Sequence, residues 1–215
     1  IIVAVSLEFA LGLFLALLMN RVLGKIRTVM RTVLTIPMFT APIAVGILWR
    51  MLYNPHYGLF NWVFHSRGFA PTGNMKFALF FVVLADVWQW TPFMYIIFLA
   101  ALQTVPQEII EAARVDGASY WQSLRLIILP HISFALVIAS ILRLMDAAKT
   151  LDLIYTLTMG GPGDVTETAS FTIFRLAFND FNIGSATAYS WIFMLILGTL
   201  ILNFLSWLQR RIRIV

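Results

Sequence analysis

No cysteine occurs in the 215 residues, so disulfides are excluded and the redox compartment is not readable. Charge is scarce as well. Asp, Glu, Lys and Arg make up 12% of the chain, against about 25% in a soluble domain. Hydrophobic residues reach 60% and the mean hydropathy is +0.87, which excludes a soluble globular domain and points to an integral membrane protein. A Gly-x4-Gly-Lys-Ser/Thr phosphate loop is missing, so ATP is not bound here in that manner. His56, His65 and His131 are scattered without metal-ligand spacing. No nucleophile–base arrangement stands out, so the chain is read as non-catalytic. The net charge of +5 fits basic cytoplasmic loops better than nucleic-acid binding. The chain opens on Ile1-Ile2-Val3, inside an apolar run and without an initiator Met. A preceding segment carrying a further span is therefore expected.

Apolar runs are what remain. A helix needs about 20 residues to cross about 30 Å of hydrocarbon. Residues 1–19, 32–52, 77–102, 131–151 and 188–208 meet that requirement, which predicts an all-α membrane domain over 1–215 with five visible spans. The second run contains Pro37, Pro42 and Gly46 and is expected to kink. The segments between runs divide by charge. Arg21, Lys25, Arg27, Arg31, Arg114, Arg125, Arg210, Arg211 and Arg213 fall on one side; Arg67, Lys76 and Arg175 fall on the other. The positive-inside rule assigns the first side, with segment 103–130 and the C-terminus, to the cytoplasm.

Segment 103–130 is unlike an ordinary loop. Thr104 and Gln107 have capping-box spacing, with Pro106 expected in the first turn. Gly117 is placed to end that helix, because glycine accepts the left-handed conformation of a C-terminal cap. Ser119 and Gln122 repeat the cap spacing, and Pro130 marks entry into the next span. The expectation is helix, glycine break, helix, lying at the membrane surface and bound by something outside the membrane.

Ionisable residues within spans are costly and tend to face a bundle interior or water. Arg143, Asp146, Lys149 and Asp152 recur at intervals of three with alternating sign, the pattern of i, i+3 ion pairs along one helix face. The stripe reads equally as the wall of a polar pathway and as an ion-pair network between helices. Asp86, Trp88, Gln89, Trp90 and Thr91 combine carboxylate, amide and aromatic groups suited to a polyhydroxylated solute. Tryptophans at this depth also form ordinary interfacial belts. Glu8 is a lone acid with Arg50, Arg143 or Lys149 as possible partners.

The insert resembles the cytoplasmic-loop signature of permease subunits of ABC importers, the inner-membrane components of binding-protein-dependent transport. The signature is Glu-Ala-Ala, three residues, Gly, nine residues, Ile-x-Leu-Pro, met here by Glu111-Ala112-Ala113, Gly117, Ile127 and Leu129-Pro130. Trp49-Arg50, Asn54-Pro55, Gly58-Leu59-Phe60-Asn61 and Leu102-Gln103 with Pro106 look like the carbohydrate-uptake branch. Asp152-Leu153-Ile154-Tyr155, Leu157-Thr158 and Gly160-Gly161-Pro162 look like the first of its two permeases. The resemblance covers essentially the whole chain. It implies the type I importer permease fold and alternating access for a sugar or polyol. It implies no cofactor in this chain, with ATP and Mg on a partner. The implied partners are a second permease, two cytoplasmic ATPase subunits and an external solute-binding protein. Glu111, Ala112, Ala113, Arg114, Asp116 and Gly117 would dock the ATPase. The alternative from another class is a secondary transporter or ion channel using the charge stripe.

Overall fold

The computed structural model describes residues 1–21, 25–64 and 70–212, and every regular element among them is helical. His65, Arg67, Gly68 and Arg213 lie outside the described residues. Helix α1 is Ile2–Arg21. It is hydrophobic on every side, so periodicity alone does not choose a buried face. The buried row is three small residues and one ion-paired acid: Ala4, Glu8, Gly12 and Ala16, four apart, are buried, while Leu7, Leu11, Phe14 and Leu18 are exposed. Small residues in one row let two helices approach closely in lipid. The partner is α5, Ala78–Leu102. A Cβ added at Gly12 would sit 2.6 Å from the Met94 Cβ.

The second predicted span is not a kinked helix. Helix α2 (Lys25–Thr35) continues into a 3₁₀ turn (Ile36–Phe39), and the chain then breaks before α3 (Pro42–Leu52). The two arms meet at 97°. Pro37 and Pro42 each occupy a first-turn position, where the absent N–H is harmless, so each starts a new segment instead of bending an old one. Four helices are long and apolar enough to cross a membrane, or five if this bent pair counts as one. The predicted loops contain helix as well: α4 (Leu59–Phe64) lies in the second, between runs 32–52 and 77–102.

The insert supplies α6 (Gln107–Val115) and α7 (Tyr120–Ser123). Helix α7 runs on through a π-turn, Leu124–Ile128, into α8 (Leu129–Ala148), forming one continuous 29-residue span, Tyr120–Ala148. Pro130 therefore lies inside a helix and does not mark an entry. The π-turn is the accommodation: Leu129 N–H bonds back to Leu124 C=O, and the widened turn takes up a proline ring that an α-turn would clash with. Beyond α8 come α9 (Asp152–Leu157), α10 (Ala169–Phe178) and the long α11 (Ile183–Ile212). Thr168 caps α10 by accepting from Phe171 N–H at 3.2 Å, and its own hydroxyl donates to Thr150 C=O at 3.0 Å.

Two apolar cores hold the bundle. One joins α1, α5 and α8 through Ala16, Met19, Phe98, Leu102, Ile132 and Ala139. The other joins α3, α5 and α9 through Val45, Trp49, Tyr53, Ala85, Leu153 and Leu157.

Candidate functional site

One arginine ties the first core together. Arg143 projects from α8 into the bundle and is 1% exposed. Its Nε donates to Glu8 Oε2 at 2.7 Å and its Nη2 to Glu8 Oε1 at 2.9 Å, a bidentate pair with α1. Nη2 also donates to Asp86 Oδ2 of α5 at 2.6 Å, and Nη1 reaches Asp146 Oδ2 at 3.3 Å. A planar guanidinium with five donors can satisfy several carboxylates at once, which an ammonium cannot do in this geometry. Its Cζ lies over the Trp90 ring, 5.1 Å from the ring centre, a cation–π contact. Three carboxyl groups thus share one guanidinium. Asp86 Oδ1 is buried without a hydrogen-bond partner, whereas the Asp146 side chain is 52% exposed.

The expected Arg143–Asp146–Lys149–Asp152 stripe is therefore cut short. Helix α8 ends at Ala148. Lys149 is its exposed C-cap, Asp152 begins α9, and no ion pair involves either among the described residues. Arg143 is turned inward by α1 and α5, so its main partners come from other helices. Glu8 stood apart from the sequence-based site candidates. The signal that could have promoted it is the four-residue spacing of Ala4, Glu8, Gly12 and Ala16, which places it on the bundle-facing row.

The polar run on α5 does not form one face. Residues four apart share a side of a helix, so Asp86 and Trp90 both turn toward Arg143. Trp88 is 39% exposed and packs edge-on to Trp49 at 5.7 Å. Gln89 is buried, and its Nε2 donates to Thr40 C=O at 3.1 Å, tying α5 to the break between α2 and α3. The Thr91 hydroxyl donates to Val87 C=O at 2.6 Å within its own helix.

The insert has a separate geometry. Pro106 is the N-cap of α6, and the Thr104 hydroxyl donates instead to Ala101 C=O at 2.8 Å, closing the end of α5. The expected Thr104–Gln107 capping box is thus absent, because Thr104 serves the preceding helix. The glycine break is as expected. Gly117 has φ +81°, Ala118 N–H bonds to Ala113 C=O at 2.9 Å, and Gly117 N–H bonds to Arg114 C=O at 3.1 Å. These two bonds are a Schellman cap. Ser119 and Gln122 form the expected reciprocal capping box. Ile110 packs on the first core and Ala113 is buried, while Glu111, Ala112, Arg114 and Asp116 are exposed. Val115 is 88% and Trp121 74% exposed. The result is a short helix with an apolar and acidic outer surface, joined through one turn to the span that carries Arg143. At 1.5 Å per residue, Tyr120 and Arg143 are about 35 Å apart along that helix.

The family described as "Binding-protein-dependent transport system inner membrane component" matches residues 8–214. A "Trehalose/maltose transport system permease protein MalF" of Thermococcus litoralis is 44% identical over 185 residues, covering 85% of this chain and 61% of that protein. A "Probable ABC transporter permease protein y4oQ" of Sinorhizobium fredii is 40% identical over 195 residues, covering 90% and 63%. The chain thus spans about three-fifths of the length of these relatives. Its fold is that of a chain in the crystal structure of a bacterial ABC transporter involved in the import of the acidic polysaccharide alginate. The TM-score is 0.84 at 24% identity, covering 97% of this chain and 77% of that one.

Proposed function

Because the chain belongs to the family of binding-protein-dependent transport system inner membrane components, we propose that it is the permease subunit of an ATP-driven ABC importer, moving a sugar, polyol or sugar-like solute by alternating access. The observation that carries this reading is the exposed, Schellman-capped helix α6 with Glu111 and Ala112 outward, continuous through α7 with a transmembrane helix. A partner that grips α6 moves Tyr120–Ala148 as a rigid lever, and with it the Arg143 network. The missing phosphate loop supports placing ATP and Mg on separate ATPase subunits. Segment 103–130 then faces the cytoplasm, in agreement with its basic residues. The further partners are a second permease and an external solute-binding protein.

On this reading the solute meets the open side of the arginine network, where half-exposed Asp146 accepts hydroxyl hydrogen bonds and Trp90 offers a ring face. Asp86 and Arg143 stand behind them and hold their positions. Trp88, Gln89 and Thr91 act through packing, and Lys149 and Asp152 lie at the outer mouth. The sugar class is supported by the trehalose/maltose relative. A channel or secondary transporter driven by a charge stripe loses its main support, since the stripe ends at Asp146. The test is assembly. With Glu111→Lys, the protein inserts normally but no longer co-purifies with an ATPase subunit. Unchanged co-purification and unchanged uptake would sink the docking claim.

A further inference from the structure

Beneath α6, on the side turned from Glu111 and Ala112, lies a cavity of about 780 Å³. Leu17 and Arg21 from the end of α1, Leu102 from the end of α5, Ile110 and Arg114 from α6, and Ser123 from α7 line it. Three span ends meet here, so the cavity sits at one edge of the membrane. Arg21 and Arg114 are exposed, and neither has an ion pair among the described residues. The Arg21 Cζ lies over the Tyr120 ring, 3.9 Å from its centre. That contact holds the group at the cavity wall through the ring quadrupole and uses none of its N–H donors in an ion pair. Ser123 is 3% exposed, and its Oγ is buried with no hydrogen-bond partner. Buried hydroxyls are normally satisfied, so this one identifies a polar position that the chain itself leaves open.

Two free guanidinium groups and an unpartnered hydroxyl at the head of an apolar cleft call for an anionic, oxygen-rich head joined to an apolar body. We propose that this cavity binds the phosphate of an anionic phospholipid, with Arg21 and Arg114 as charge-assisted donors, Ser123 as a neutral donor, and the first acyl carbons against Leu17, Leu102 and Ile110. A free phosphate has the same head-group chemistry. The apolar wall and the membrane-edge position favour the lipid. The bound lipid fills the space between α1 and α6 and sets the height at which the helix rests. The inference does not depend on the transport reading, since it concerns only the underside of α6.

The test uses the full-length protein with its co-purifying subunits, delipidated and examined by native mass spectrometry. The probes are dioctanoyl phosphatidylglycerol, dioctanoyl phosphatidylcholine and inorganic phosphate. One phosphatidylglycerol per chain is expected to be retained, with phosphatidylcholine at least about tenfold weaker and phosphate unable to displace the lipid at equal concentration. Arg21→Ala weakens retention by at least about tenfold, and Arg21→Lys restores most of it. Ser123→Leu replaces the hydroxyl by a bulkier apolar group without changing charge and weakens retention, which decides the matter should Arg21→Ala fail to fold. Equal retention of both lipids, or wild-type retention in Ser123→Leu, overturns the proposal. Displacement by equimolar phosphate overturns the lipid assignment in favour of a free phosphate ligand.

Discussion

Arg143 Nη2 lies 2.6 Å from Asp86 Oδ2, joining two spans whose contacting residues are 57 apart in sequence. With the bidentate Glu8 pair on the other side, this one side chain clamps α1, α5 and α8. Removing one partner of a buried ion pair leaves the other uncompensated, at a cost of about 3–5 kcal/mol. Arg143→Met is therefore expected to destabilise the detergent-solubilised protein by that amount. A triple replacement with Glu8→Gln and Asp86→Asn should recover a large part of it. Thermal unfolding followed by size-exclusion fluorescence checks both. If the single change costs no more than an exposed substitution, the clamp is not structural.

Asp146 belongs to the same network but is half exposed. Solvent screens its interaction with Arg143, so Asp146→Asn should cost under about 1 kcal/mol of stability. Uptake should nonetheless fall, as should uptake by Trp90→Ala, while an ATPase subunit still co-purifies. Parallel loss of stability and uptake in both variants would assign these residues to packing.

At Gly117 a Cβ would meet nothing within 4 Å, yet φ is +81°. The penalty for a side chain there is purely conformational, about 1–2 kcal/mol for the left-handed region. Gly117→Val should loosen the α6 cap without disturbing the spans, and Gly117→Asn should be milder. The readout is transport-coupled ATP hydrolysis by the reconstituted complex beside an unchanged unfolding temperature of the spans. A matching fall in that temperature would locate the damage in the bundle.

Gly12 presents the opposite case. Its backbone is ordinary helix, and the obstacle is the Met94 Cβ, 2.6 Å from where a Cβ would stand. Gly12→Val should force α1 from α5 and cost about 1–3 kcal/mol. It should also weaken the Glu8–Arg143 pair, which the same interface carries. Gly184→Ala, with nothing within 4 Å, serves as the neutral control. Limited proteolysis of the two variants in parallel distinguishes them.

The membrane class, most of the span positions and the α6–Gly117–α7 insert were legible in the residues. Each rests on local chemistry. Long apolar runs need lipid, Gly117 tolerates a positive φ, and Ser119 reaches Gln122 without help from elsewhere. Thr104 shows the limit even of local rules: its spacing to Gln107 fits a cap, but the hydroxyl bonds backward to Ala101. The right angle at residues 40–41 was legible only as a kink, since prolines announce a break without giving its size.

What the tertiary structure alone decided is which sides of these helices face one another. A span that is hydrophobic all round carries little record of its own rotation, so the grouping of Glu8, Asp86 and Arg143 could not be read from their places in the chain. The alternating charges after Arg143 suggested partners along one helix. Guanidinium geometry and the close approach of α1 to α5 at Gly12 chose partners across three. The sequence by itself determined that these charges must be satisfied away from lipid. Packing determined with whom: Arg143 meets Glu8 and Asp86 across helices and Asp146 on its own, because a charge held away from water must find its partners within the protein.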